Sequence, residues 1–131
     1  MENKDLIKQA LKARENSYSP YSNFKVGAAL LTKSGKVYLG TNVENAGYSP
    51  CNCAERSAFF SAISNGEREF EKIAIVGSLN HLTYPCGVCR QVMVELAPNI
   101  EIICATSESN FIITNLEELL PNSFGPKNLN K

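Results

Sequence analysis

Three cysteines and one glutamate carry the chemical potential of this sequence. Cys53-Ala54-Glu55 precedes Pro85-Cys86-Gly87-Val88-Cys89, with Cys53 and Cys86 33 positions apart. Cys86 and Cys89 sit at i and i+3, so a helix opening there turns both sulfurs toward one point. Cys53 supplies a third donor from a second helix start. Three protein ligands leave one corner of a tetrahedral zinc open, which separates a catalytic zinc from a structural one. A zinc with an open corner can hold a hydroxide near neutral pH. Glu55, just past a ligand, is placed to reach that hydroxide without binding the metal.

Plainer readings of the same residues exist. Cys86 and Cys89 alone would fit a structural zinc or a redox pair. A structural site wants a fourth ligand, and the spare residues of the usual soft type are Cys51, Cys104 and His81. Cys51 is cramped against Cys53 for two ligands on one metal, Cys104 reads as core in an apolar strand, and His81 reads as a loop residue. Glu55 alone would be an ordinary first-turn helix acid favoured by the dipole. Its place beside a ligand in Cys-Ala-Glu favours a role in moving protons. Arg56 has a physical task too. Zinc with three thiolates carries a formal charge of about −1 and is a weak electrophile, and a guanidinium donating to the sulfurs withdraws charge from them. A surface arginine is the plain alternative.

The elements that must position these groups follow from hydrophobic patterning. Leu6, Ile7, Ala10, Leu11 and Ala13 recur at helical spacing and predict a helix over Asp5–Asn16. Tyr18–Asn23 is a loop. Phe24–Leu31 and Val37–Val43 read as strands joined by a hairpin turn in which Gly35 takes positive φ. A helix is predicted over Cys53–Ser64, stopped by Asn65-Gly66. Ile73–Gly77 follows as a buried strand. Cys86–Leu96 is the third helix, so both cysteine groups fall at helix N-termini, where free N–H groups and the dipole lower thiol pKa. Ile100–Ala105 and Phe111–Thr114 are strands too closely joined for a parallel crossover, so they form an antiparallel hairpin. Thr114-Asn-Leu-Glu117 predicts a capping box for a last short helix. Phe59 and Phe60 are adjacent and cannot both face one core, so one is expected at an interface. A single mixed sheet between helix layers is the compact solution.

Composition bounds the reading. The 131 residues make one domain, 1–131, large enough for a core without disulfides, with a polar tail from about Lys127 expected to fray. Lys plus Arg is 13 and Asp plus Glu is 13, so the formal net charge is zero, which argues against a nucleic-acid partner. No apolar run reaches the roughly 20 residues that span a bilayer, and the N-terminus is polar, so neither a membrane nor a signal peptide is expected. Free cysteines at ligand spacing fit a reducing cytoplasm.

Five stretches in order resemble one family. Phe24-Lys-Val-Gly-Ala-Ala-Leu30, Asn42-Val-Glu44-Asn45-Ala46, Cys53-Ala-Glu-Arg56-Ser-Ala58, Pro85-Cys-Gly-Val-Cys-Arg90-Gln91 and Leu119-Leu-Pro-Asn-Ser-Phe124-Gly-Pro126 are similar to the small, homotetrameric, zinc-dependent cytidine deaminases. The resemblance runs from about Leu6 to about Leu129. It implies a three-layer α/β/α fold with a mixed five-stranded sheet and helices on both faces. It also implies hydrolysis of cytidine and 2′-deoxycytidine to the uridine products in pyrimidine salvage. One zinc per chain would be held by Cys53, Cys86 and Cys89. Glu55 would carry a proton from water to the pyrimidine ring nitrogen and then assist the leaving amine, and Arg56 would donate to the ligand sulfurs.

The resemblance further makes Asn42 and Glu44 ribose contacts, Phe24 the aromatic packed on the base, and Ala54 a small residue offering backbone to it. Tyr48 and Phe124 become positions that a neighbouring subunit contributes. Read alone, Phe24 and Phe124 could be core residues and Asn42 a strand-end cap. Val88, Tyr84, Gly47 and Pro50 depart from the commonest family pattern and bear on fine substrate preference. The nearest alternative is a blasticidin-type nucleoside antibiotic deaminase of the same fold and zinc site, against which Asn42-Val-Glu44-Asn45 and Arg56 weigh. A deaminase acting on nucleic acid usually has His as first ligand and a basic surface. A zinc-stabilised interaction module would need neither Glu55 nor an open metal corner.

Overall fold

The computed structural model describes residues Met1–Lys131. The chain runs α1 (Asn3–Arg14), β1 (Gly27–Thr32), β2 (Val37–Thr41), α2 (Ala54–Ser64), β3 (Phe70–Val76), α3 (Gly87–Leu96), β4 (Glu101–Ser107), β5 (Asn110–Thr114), α4 (Leu116–Leu119) and a 3-10 turn at Pro126–Leu129. The five strands form one sheet in the order β2-β1-β3-β4-β5. β1 pairs antiparallel with β2 and β3, β3 parallel with β4, and β4 antiparallel with β5. The one parallel pair is joined through α3, the crossover such a pair requires.

The three central strands are apolar on both faces, and their side-chain alternation splits the core in two. Ala28, Leu30, Ile73, Ile75, Ile102 and Cys104 pack with Phe59 of α2 and Met93 of α3. The intervening Ala29, Leu31, Ala74, Val76, Ile103 and Ala105 pack against Leu6, Ile7 and Ala10 of α1. This is the expected three-layer α/β/α arrangement, with α1 on one face and α2 and α3 on the other. Phe59 meets Phe70 edge to face, ring centroids 5.1 Å apart, while the adjacent Phe60 is 46% exposed.

Boundaries differ from the sequence reading where side chains replace or extend the ladder. β1 begins at Gly27 rather than Phe24, because the Val26 amide donates to the Asn42 side chain at 2.9 Å instead of to a strand partner. β2 ends at Thr41 for the same reason. β3 starts at Phe70, three residues early, since Phe70 closes the core against Phe59 and the polar Glu71-Lys72 pair lies at the sheet's end. The cap of α4 is Asn115, whose Oδ1 accepts from the Glu118 amide at 3.0 Å, not Thr114, which ends β5. The polar tail expected to fray from about Lys127 instead starts within the 3-10 turn Pro126–Leu129, with the Gly125 amide donating to Asn128 Oδ1 at 2.9 Å. No helix is long and apolar enough to cross a membrane.

Candidate active site

Cys53 and Cys86 are the N-caps of α2 and α3, both in extended backbone, and neither side chain caps its own helix. Their sulfurs are therefore free to face each other. Cys89, in the first turn of α3, completes a group whose three sulfurs all lie within 4.8 Å of one another, and Cys53 Sγ and Cys86 Sγ are 3.7 Å apart. Around a tetrahedral zinc with Zn–S bonds of about 2.3 Å, neighbouring sulfurs stand about 3.8 Å apart, so the donor set and spacing fit that metal. The group comprises these three sulfurs alone. Cys51 instead hydrogen-bonds with the Asn45 backbone, Cys104 is buried in β4 with burial pushing its thiol up to about 12, and His81 is exposed in a loop.

The electrostatics of the group favour a cation. Hydrogen bonding with Cys89 is the largest cause bringing the Cys53 thiol down to about 5, with help from Arg56 and Cys86 against opposing burial. The same hydrogen bond pushes the Cys89 thiol far above its usual value. One thiolate thus forms readily, and its charge holds the next proton on; three thiolates this close require a positive charge between them. Arg56 supplies part of it. Its Nη2 donates to Cys53 Sγ at 3.2 Å. Burial opposes the guanidinium charge, but the hydrogen bonds to Cys53 and Cys89 outweigh this and raise its pKa.

Glu55 follows one residue into α2 and is only 4% exposed. Burial is the largest cause pushing its carboxyl up to about 7, and the Cys53 charge adds to it. A carboxyl poised there can give or take a proton at neutral pH.

Cys53, Glu55 and Cys86 line a cleft of about 470 Å³. The structure brings Phe24, Asn42, Glu44, Tyr48 and Ala54 to the same cleft as Cys53, Glu55 and Cys86. Phe24 is 44% exposed, so the core reading of it fails. Tyr48, at φ 61°, stands at the mouth of its own chain's cleft. Phe124 does not line it: the residue is 59% exposed on another face, its carbonyl accepting from Gln91 Nε2 at 2.8 Å. A larger hollow of about 610 Å³ lies between α3 and the C-terminal segment, but Glu95, Glu117 and two lysines are its only charged lining residues and no ligand cluster opens into it.

The polarity of the two expected ribose contacts is fixed. Asn42 Oδ1 accepts from the Val26 amide and from Ser17 Oγ, and its Nδ2 donates to the Phe24 carbonyl at 2.7 Å. One amide proton is left, so Asn42 offers the cleft a donor. Glu44 accepts from the Tyr21 and Ser22 amides at 3.0 and 3.1 Å and from Ser22 Oγ, and offers an acceptor. A donor beside an acceptor suits a hydroxyl, which can be both. The strand-end role of Asn42 is real as well, since it ties the Phe24–Val26 segment to β2.

Residues missed in the sequence are those that hold this arrangement. Ser22 lies in a stretch legible only as a loop, and Ser17 between that loop and the predicted helix. Arg90 donates to the Pro85 and Leu119 carbonyls at 2.7 and 2.6 Å, fixing the approach to Cys86. Thr83, which nothing in the sequence singled out, and Tyr84, noted there only as a departure from the family pattern, also line the cleft.

Fold and site together define a class: an α/β/α domain in which two helix starts converge three sulfurs beside a buried carboxylate, under an open cleft. Residues 1–106 match the family model described as the cytidine and deoxycytidylate deaminase zinc-binding region. The chain is 45% identical to the cytidine deaminase of Halalkalibacterium halodurans, covering 99% of each. It is 42% identical to that of Sporosarcina psychrophila, covering 98% of this chain and 96% of the relative. Among solved structures, the cytidine deaminase of Burkholderia pseudomallei superposes with a TM-score of 0.90 at 51% identity, covering 95% of this chain and all of that one. The chain belongs to the cytidine and deoxycytidylate deaminase family.

Proposed function

We propose that this protein hydrolyses cytidine and 2′-deoxycytidine to uridine and 2′-deoxyuridine, releasing ammonia, as a step of pyrimidine salvage. The observation that carries the reading is the convergence of Cys53, Cys86 and Cys89 beside buried Glu55, in a cleft that also holds Phe24, Asn42 and Glu44.

Cys53, Cys86 and Cys89 hold one zinc per chain. When bound, zinc supplies the Lewis acidity that makes water nucleophilic near neutral pH. The chain's own groups do the rest. Phe24 packs on the pyrimidine, Ala54 leaves room for it, and Asn42 and Glu44 grip a sugar hydroxyl, so the amine-bearing carbon is presented to the attacking water. Glu55 takes a proton from that water and passes it to the ring nitrogen. It then helps deliver a proton to the amine as the carbon–nitrogen bond breaks and ammonia departs. Arg56 draws charge from the ligand sulfurs through Cys53.

The active unit is a homotetramer with shared pockets. Support comes from Phe60, Tyr48, Val88 and Phe124, large apolar side chains left 46–79% exposed on one chain. In this arrangement Phe124 and Tyr48 reach a neighbour's cleft and exclude water from it. The zero net charge supports a small-molecule partner over nucleic acid. Five free thiols suit the cytoplasm.

Ammonia release from cytidine, 2′-deoxycytidine and blasticidin tests the reaction. Turnover of both nucleosides is expected; turnover of blasticidin alone would overturn it. Sedimentation alongside activity across dilution tests the assembly, and a fully active monomer would remove the shared pocket.

A further inference from the structure

The hydroxyl of Ser22 has two partners, and together they fix where its single proton points. The Phe24 amide donates to Ser22 Oγ at 3.0 Å, so the hydroxyl proton is free to be donated to Glu44 Oε2. The amides of Tyr21 and Ser22 occupy Oε1 of the same carboxylate. Between Ser22 and Phe24 the chain turns at Asn23, whose φ of 59° lies in the left-handed region. The Asn23 amide is donated to the Ser19 carbonyl at 3.0 Å, which holds the turn in place. Ser22 is the side chain hydrogen-bonded both to Glu44 and to the backbone of Phe24, and it lines the cleft with them.

We propose that Ser22 is a positioning residue for the nucleoside. Its hydroxyl holds the Glu44 carboxylate as an acceptor for a sugar hydroxyl and ties that carboxylate to the segment carrying Phe24, so the sugar and base subsites are set by one bond network. The inference rests on the roles of Glu44 and Phe24 given under the proposed function. Without the Ser22 hydroxyl, Glu44 Oε2 loses its fixed donor and the Phe24 amide loses its acceptor. Both substrate contacts then loosen together, although the Ser22 hydroxyl hydrogen-bonds with Glu44 and the Phe24 backbone and not with the cysteine group or Glu55. The charge state agrees with the geometry: hydrogen bonds from the Ser22 side chain and backbone, and from the Tyr21 amide, hold the Glu44 carboxyl below its usual value against opposing burial.

Ser22→Ala is expected to raise KM for cytidine about tenfold while kcat changes less than about threefold, the pattern of lost binding without lost chemistry. Ser22→Thr keeps the hydroxyl and should recover most of that loss. In a Glu44→Ala background, Ser22→Ala should cost clearly less than it does alone, because one of its two partners is gone and only the Phe24 amide is left to lose. A readout independent of turnover is the carbon-13 titration of the Glu44 carboxyl, which should move to higher pH in Ser22→Ala and return in Ser22→Thr. An unchanged KM in Ser22→Ala, or losses that add fully with Glu44→Ala, would overturn the proposal. If the wild-type protein released no ammonia from cytidine, the proposed reaction would fail. Cytidine dissociation constants and the carboxyl titration would then judge Ser22 on their own, and no change in either would overturn it.

Discussion

Gly40 of β2 lies so close beneath α2 that a methyl group on it would stand 2.1 Å from the Ala54 carbonyl oxygen and 2.5 Å from the Ala58 amide nitrogen. Both neighbours are backbone and cannot turn away. Ala54 sits between Cys53, the proposed ligand, and Glu55, the proposed acid, so this contact sets the height of that helix start above the sheet. Gly40→Ala should destabilise the fold by about 1–3 kcal/mol, the scale of overpacking. It should also cut turnover by up to about 100-fold, because small misplacements of reacting groups are costly. Thermal denaturation and ammonia release check both, and wild-type values for both would show that α2 is not seated on Gly40.

Cys86→Ala removes the proposed zinc ligand at the N-cap position of α3. The remaining pair, Cys53 and Cys89, cannot close a three-sulfur site, so zinc content should fall far below one per chain. Metal binding is coupled to folding, so the melting temperature should fall as well. Elemental analysis after dialysis is the direct test; a full complement of zinc in this variant would reject the ligand set.

Glu55→Gln keeps the shape and removes the exchangeable proton. Since Glu55 is outside the sulfur group, zinc should remain bound. Turnover should fall by more than the ~10²–10⁴-fold typical of losing one general acid–base group, because one carboxyl serves several transfers. Loss of metal, or near-normal rates, would contradict this assignment.

Much of this was legible in the sequence because each signal was local or periodic. The apolar runs Ile73–Val76 and Ile102–Ala105 read as buried strands, and each run sends alternate side chains into the two cores. The convergence of the three sulfurs beside Glu55 was legible because metal chemistry demands particular residue types at helix starts. What stayed hidden depends on long-range hydrogen bonds. Nothing in the stretch Ser17–Asn23 announces that Ser17 would reach Asn42, 25 residues away, or that Ser22 would reach Glu44. The end of β2 was misplaced because Asn42 trades a ladder position for side-chain bonds. Arg90 was part of a recognisable motif, but its task, joining Pro85 to Leu119, exists only once α4 has packed beside α3.

Glu44 gives a prediction with a definite sign. Hydrogen bonds, first from the Ser22 hydroxyl, lower its carboxyl below the ordinary 4.5 in the folded protein. A depressed folded pKa means that these bonds favour the ionised form, so their contribution is complete above pH 4.5 and is lost as pH falls through the folded value. The difference in melting temperature between wild type and Glu44→Gln should therefore be flat from neutral pH down to about 4.5 and shrink below it. Comparing the two proteins cancels the acid sensitivity of the cysteine centre, which they share. The same carboxylate should read the sugar. Glu44→Ala is expected to impair cytidine far more than free cytosine, because a carboxylate fixed to pair with a sugar hydroxyl has nothing to pair with in the free base. Equal losses on nucleoside and free base would show that Glu44 only organises the loop at Tyr21 and Ser22 and makes no contact with ribose.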